Sequence, residues 1–185
     1  MDVQTQAVTA AKLLTALVDG TDADQLNVQT PCAEWKVRDL MNHFIGGAHM
    51  FAAGLRGEVL SGEAPDDLVG SDHRASFHAA LDSFGSALAA TDDLERELTL
   101  PFGTMPAAAA LQLLSGDLLV HCWDLATATG QPFDPPEDFV GSALAFFPVA
   151  IPADNRSPET FGPVVAVPEG SSAITRLLGY SGRTP

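Results

Sequence analysis

The sequence predicts an all-α fold, a four-helix bundle carrying a short C-terminal appendage, and three observations predict it. Apolar residues recur at helical spacing along four long stretches. Gly or Pro punctuates the ends of these stretches. Beyond residue 130 the pattern weakens, which separates a bundle at about 3–130 from an appendage at about 131–185 within one domain, 1–185.

Helix one covers 3–19, where Val3, Ala7, Ala10, Leu14, Leu17 and Val18 form an apolar stripe closed by Gly20. The segment TDADQLNVQTPCAEWKV, 21–37, mixes turn formers with Pro31 and reads as an ordered connection that Trp35 anchors to the core. From Val37 the stripe Val37, Met41, Phe44, Ala48, Phe51 and Leu55 defines helix two, which stops near Gly57. His43 flanks that stripe in a row with Gly47 and Gly54, whose small size leaves room beside it. His49 and Asn42 lie on the roughly opposite, solvated side. Residues 58–71 form a polar, Gly-rich loop, a lid or a surface excursion.

Helix three runs from about Asp72 to Ala90 with Phe77, Leu81, Phe84 and Leu88 inward. His73 continues this stripe at the helix end, whereas His78 points away. The acidic TDDLEREL then leads to LPFGTMP, whose Pro and Gly residues mark a turn. Helix four extends from about Pro106 to Gly130, and Pro132, Pro135 and Pro136 forbid its continuation. A fifth helix fits 137–147 and a short sixth 173–180, separated by PVVAVPEG, which reads as extended chain.

The composition narrows the function classes. In 185 residues there are 24 acids against 9 Lys and Arg, a formal charge of −15, and the cations are dispersed. Binding to nucleic acid or to an anionic membrane surface needs clustered cations, so neither is expected. Cys32 and Cys122 match no zinc-knuckle spacing and make a poor disulfide framework. Neither a signal peptide nor an apolar run of about 20 residues is present, and a cytoplasmic protein is expected. Serine-elbow, Walker A and GxGxxG motifs are absent, so acyl transfer and nucleotide binding lack support.

The chemistry concentrates in DLLVHCWDLATATG, 117–130. At 100° per residue, with Asp117 at zero, His121 falls at about 40° and Asp124 at about 340°. This narrow stripe also holds Ala110, Leu113, Leu114 and Ala128, so the three ionisable groups face a core. Unpaired charge there is costly, and a metal ion, a buried hydrogen-bond network or a polar cavity could compensate it. Asp117 and His121, four apart, can converge on one ion. A third ligand must come from another helix, and His43 is the best placed candidate. His43, Asp117 and His121 would leave coordination positions open, a pattern used by catalytic Zn²⁺ and non-haem Fe²⁺. The spacing is equally compatible with a metal-free network, and His43 alone reads more readily as a hydrogen-bonded histidine at the core's edge. Asp124 fits a supporting role better than a ligand's, orienting a ligand or holding a backbone amide. Cys122, about 140° away, is a packing residue, while Cys32 lies in the loop before Trp35 without a sign of activation.

Together, TPCAEWKVRDLMNH (30–43), HCWDLATATG (121–130) and the tail LLGYSGRTP resemble actinobacterial relatives of the metal-binding N-terminal domain of mycothiol-dependent maleylpyruvate isomerase, within the DinB/YfiT-like superfamily. The resemblance implies a DinB-like four-helix bundle holding a divalent metal, typically zinc or nickel. Its ligands would be a His from helix two and an acid-or-His plus His pair four apart, which fall on His43, Asp117 and His121. It also implies mycothiol as a cosubstrate, activated as thiolate by the metal to attack an electrophilic substrate. The partners it implies are thus a small-molecule thiol and an electrophile, with a homodimer left open. Two departures stand out. The isomerase has a further C-terminal domain, so isomerisation itself is not carried over, and Asp117 is shorter than a Glu or His. Arg183 in the tail could reach the site and bind a substrate carboxylate, although a solvated terminus is the simpler reading.

The expected function is therefore that of a metal-dependent, thiol-using transferase or isomerase in which the metal activates a thiol or water. The alternative is a non-catalytic metal-binding or stress-related DinB-like protein.

Overall fold

The computed structural model describes residues 1–32, 34–58, 65–153, 156 and 161–185. Among them six α-helices and one two-stranded hairpin form: α1 Val3–Asp19, α2 Val37–Arg56, α3 His73–Ala89, β1 Glu97–Leu100, β2 Gly103–Pro106, α4 Ala107–Thr129, α5 Glu137–Ala150 and α6 Ala173–Tyr180. A short 3-10 turn, Ala23–Asn27, lies in the connection between α1 and α2.

Local chemistry sets the helix ends. Asp2 Oδ1 accepts from the Thr5 amide at 2.9 Å, and Asp72 Oδ1 accepts from that of Ala75 at 3.0 Å, each satisfying an orphan donor of the first turn. At the other end of α2 and of α4, Gly57 (φ 76°) and Gly130 (φ 71°) take the left-handed conformation that closes a helix. Pro106 does not start α4 but stands as its N-cap and the last residue of β2.

The four long helices share one core. Leu14, Leu17 and Val18 of α1 meet Leu40, Met41 and Phe44 of α2, Phe77 and Ala80 of α3, and Cys122, Leu125 and Ala126 of α4. Burying each such large side chain contributes about 1.5–3 kcal/mol. A second cluster, around Phe51, Leu55, Phe84, Leu88 and Leu111, continues the core toward the hairpin. The C-terminal segment packs on another side of α4, where Leu119 and Val120 meet Phe139, Phe147, Phe161 and Leu177. At Gly116 the helix comes so close to α5 that an added Cβ would lie 2.2 Å from the Phe147 ring. α4 is therefore buried on most of its circumference, and its apolar residues do not confine themselves to one stripe.

The hairpin is a departure from the turn expected over LPFGTMP. In ELTL, Leu98 and Leu100 are buried while Glu97 and Thr99 are exposed, the period of a strand. Leu98 pairs with Met105 and Leu100 with Gly103. Leu100 fills the space beside Gly54, where an added Cβ would stand 2.9 Å from its Cδ2. Gly54 thus admits the hairpin rather than making room for His43. Arg96 secures the same junction by donating to the Gly54 carbonyl at 3.0 Å and to that of Leu55.

Within the 58–71 loop, residues 59–64 lie outside the described residues. The part that follows is tied down: the Leu68 amide donates to Asn42 Oδ1 at 2.7 Å, Val69 is fully buried, and Arg38 reaches Asp67 at 2.6 Å. Asn42 is consequently half-buried and bonded rather than solvated, while His49 is exposed. The stretch 163–170 is non-helical chain laid against α6, with the Val165 amide donating to the Gly179 carbonyl at 2.8 Å. No helix among the described residues is long and apolar enough to cross a membrane.

Candidate metal centre

α4 and α2 place three potential ligands within reach of one another. Asp117 and His121 stand one turn apart on α4, and His43 projects from α2. One ligand atom from each of the three lies within 4.8 Å of the others. His43 Nε2 is 2.9 Å from Asp117 Oδ2, and His121 Nε2 is 3.6 Å from Asp117 Oδ1. These separations bracket the about 3.3 Å edge of a tetrahedral site with metal–ligand bonds near 2 Å. The donor set fits a small divalent cation, and without one the His43–Asp117 contact is a hydrogen-bonded ion pair.

The other nitrogen of His121 is also committed. Nδ1 lies 2.9 Å from Asp124 Oδ2, which makes it the protonated nitrogen and turns the Nε2 lone pair toward Asp117 and His43. A carboxylate behind a histidine in this way fixes both tautomer and ring orientation. Asp124 is completely buried, and Arg183 compensates it, donating from Nη2 to Oδ2 at 2.8 Å and from Nε to Oδ1 at 3.3 Å. Arg183 Nη1 donates to the Ser181 carbonyl at 2.9 Å. Arg183 is thus buried rather than a solvated terminus, and its guanidinium is engaged by Asp124. The reason is electrostatic: a dry carboxylate draws in the nearest cation.

The electrostatics follow from the geometry. Burial pushes the Asp117 carboxyl up, but the His121 and His43 imidazoles beside it outweigh burial and hold it down at about 2. For His43, burial acts downward and Asp117 acts upward, and Asp117 prevails. Cys32, half-buried in the loop before α2, is pushed up to about 11, first by burial, with Arg183 offsetting part. Its sulfur forms an alternative cluster with His121 and Asp124. That set is the poorer metal site, since Asp124 has both oxygens engaged by Arg183 and His121 Nδ1 is bonded to the same carboxylate. Cys122 is fully buried in the core between the helices.

Trp35 does more than anchor a connection. Its ring stacks on His121 at 5.5 Å with 11° between planes and leans on His43 at 5.2 Å, forming an aromatic wall over both imidazoles. Only its place between Cys32 and α2 hinted at this. Glu34 beside it is a non-glycine residue in the left-handed region, φ 67°. His73 is buried at the start of α3 with Nε2 3.0 Å from the Thr21 carbonyl oxygen, and His78 meets Asp19 at 2.8 Å, so neither belongs to the centre.

Comparison with known proteins gives concordant results. The family model described as mycothiol maleylpyruvate isomerase N-terminal domain matches residues 8–126. Two uncharacterized proteins of Mycobacterium tuberculosis, one from strain CDC 1551 / Oshkosh and one from strain ATCC 25618 / H37Rv, are each 31% identical over 170 residues, covering 91% of both chains. Among solved structures, a mutant of mycothiol-dependent maleylpyruvate isomerase superimposes with a TM-score of 0.63 and the enzyme itself with 0.60. Each is 18% identical and is aligned over 77% of this chain and 66% of its own, so the chain spans just under two thirds of the solved enzyme's length. At that identity the likeness shows the fold.

Proposed function

The chain belongs to the mycothiol maleylpyruvate isomerase N-terminal domain family, and on that premise we propose that it is a metal-dependent transferase or isomerase using a low-molecular-weight thiol, mycothiol first among candidates. The observation that carries this reading is the convergence of His43, Asp117 and His121, backed by the buried Asp124 on the far nitrogen of His121. In this reading His43, Asp117 and His121 hold a divalent ion, Zn²⁺ or Ni²⁺, in one domain acting in the cytoplasm as a monomer or homodimer.

A bound divalent ion would supply Lewis acidity, lowering the pKa of a coordinated thiol or water. The protein's own residues do the rest. Two neutral imidazoles and one carboxylate contribute a single negative charge, so the loaded centre keeps one net positive charge that favours a thiolate. Asp124 orients the His121 ring through Nδ1, and Arg183 compensates and holds Asp124. Trp35 shields the imidazoles on one side. Fractional side-chain exposure is 35% for His43 and 22% for Asp117, against 6% for His121 and 0% for Asp124, so a small molecule approaches along the His43–Asp117 edge.

Metal content of protein purified without added metal, followed by conjugation assays with mycothiol and a panel of electrophiles, tests the proposal. Near one equivalent per chain and turnover of at least one electrophile are expected. Less than about a third of an equivalent, unimproved by Zn²⁺ or Ni²⁺, would overturn it. A full equivalent with no thiol chemistry would instead identify a non-catalytic metal-binding protein.

A further inference from the structure

The edge by which the centre meets solvent opens into a groove lined by Glu34, Trp35, Asp39, Asn42, His43 and Asp66. Three of these six residues are carboxylates, and all three are exposed. No Lys or Arg is among the described residues that line it. Two nearby cations are engaged elsewhere: Arg183 on Asp124 behind His121, and Arg38 on Asp67 and the Gly70 carbonyl. We propose that this groove admits uncharged or cationic ligands to the centre and rejects dianions such as dicarboxylates, with Glu34, Asp39 and Asp66 as the selecting residues. This deepens the reading of the centre given above and rests on it.

The charge balance explains the direction. The loaded centre has one net positive charge, and a bound thiolate cancels it. A further carboxylate on the incoming molecule then meets no cation among the described lining residues, only the three rim carboxylates. These lie within about one Debye length, 8 Å, of a ligand filling the groove, where screening is incomplete. The surrounding chain, at −15, adds to the same bias. Trp35 offers an aromatic ring, a surface suited to neutral or cationic groups.

The test uses the Co²⁺-loaded full chain titrated with three small thiols, cysteamine, 2-mercaptoethanol and mercaptosuccinate, read by the thiolate-to-cobalt charge-transfer band. At low salt, and after correction for each thiol's own pKa, cysteamine is expected to bind at least about tenfold more tightly than mercaptosuccinate, with 2-mercaptoethanol between. Raising the ionic strength should narrow the gap. The double variant Glu34→Gln/Asp66→Asn, two exposed positions, should load cobalt fully and reduce the gap to about twofold. Asp39 is left intact because it caps α2 through the Lys36 amide at 2.8 Å. Equal or tighter binding of mercaptosuccinate by the native chain overturns the charge selection while leaving the metal–thiol reading standing. An unchanged gap in the double variant overturns the assignment to these residues. Failure to load cobalt, or absence of the band with every thiol, overturns the metal–thiol reading and the selection with it.

Discussion

Arg183 and Asp124 meet through two near-parallel contacts, Nε to Oδ1 at 3.3 Å and Nη2 to Oδ2 at 2.8 Å, both side chains being buried. The C-terminal tail thereby reaches across α4 to the carboxylate that orients His121, linking the appendage to the candidate metal centre. A bidentate pair of this kind holds its partners in one geometry as well as neutralising them.

Breaking the pair from one side should therefore cost more than removing it. Arg183→Gln leaves a buried carboxylate uncompensated and is expected to destabilise the metal-free chain by about 3–5 kcal/mol. The double variant Asp124→Asn/Arg183→Gln should recover part of that loss. Urea unfolding of the four members of the cycle measures it, and strictly additive effects would show that the two residues are energetically independent.

Asp124→Asn tests the orientation of His121. Loss of the carboxylate behind His121 should weaken metal affinity by about 10–100-fold while leaving the helices formed. Competition with a chromophoric chelator gives the affinity, and circular dichroism reports the helices. An unchanged affinity would leave Asp124 with a packing role only.

His121→Ala is expected to lose bound metal and the metal-dependent part of the melting temperature. His49→Ala, at an exposed position on α2, should do neither. Elemental analysis and thermal melts of both proteins, made identically, decide it. Equal losses would mean that the centre lies elsewhere.

The His43–Asp117 pair predicts a pH window for the metal-free chain. The raised pKa of His43 means its contribution is complete below the ordinary histidine value of about 6.5 and fades as pH rises through the raised one. Asp117, lowered to about 2, contributes above the ordinary aspartate value of about 3.9 and loses this as pH falls toward its own. The difference in melting temperature between the native chain and His43→Asn should thus be largest between about pH 4 and 6.5. Metal affinity should run the other way, rising with pH as His43 gives up its proton. A flat difference across the range would contradict the pairing.

Gly182 joins the tail to this site through backbone conformation. Its φ is 87°, and a Cβ there would stand 2.9 Å from Gly162 Cα and 3.0 Å from that residue's carbonyl carbon and oxygen. Gly182→Ala is expected to shift Arg183 off Asp124 and to weaken metal binding in parallel with Arg183→Gln. Chelator competition on both variants checks this, and native affinity in Gly182→Ala would show that the tail tolerates the change.

The helices were legible because their signal is local. A period of 3.6 in the apolar residues, Asp caps and closing glycines each act within one or two turns, so α1 to α4 could be placed from spacing alone. The shared face of Asp117, His121 and Asp124 was legible for the same reason, since helix geometry is nearly rigid. ELTL carried a strand period too, but over only four residues it was outweighed by the Pro and Gly that follow.

The family resemblance and the all-α architecture are thus determined by the sequence itself, through repeated short-range constraints that point the same way. Tertiary structure alone decided that His43 stands 2.9 Å from Asp117, 74 positions away, that Trp35 covers both imidazoles, and that Arg183 is buried against Asp124 instead of lying in solvent. These are long-range pairings, set by which surfaces α2, α4 and the tail bury against one another. The cost of leaving Asp124 uncompensated in a dry interior selects the cation that meets it, and no local pattern around Arg183 records that choice.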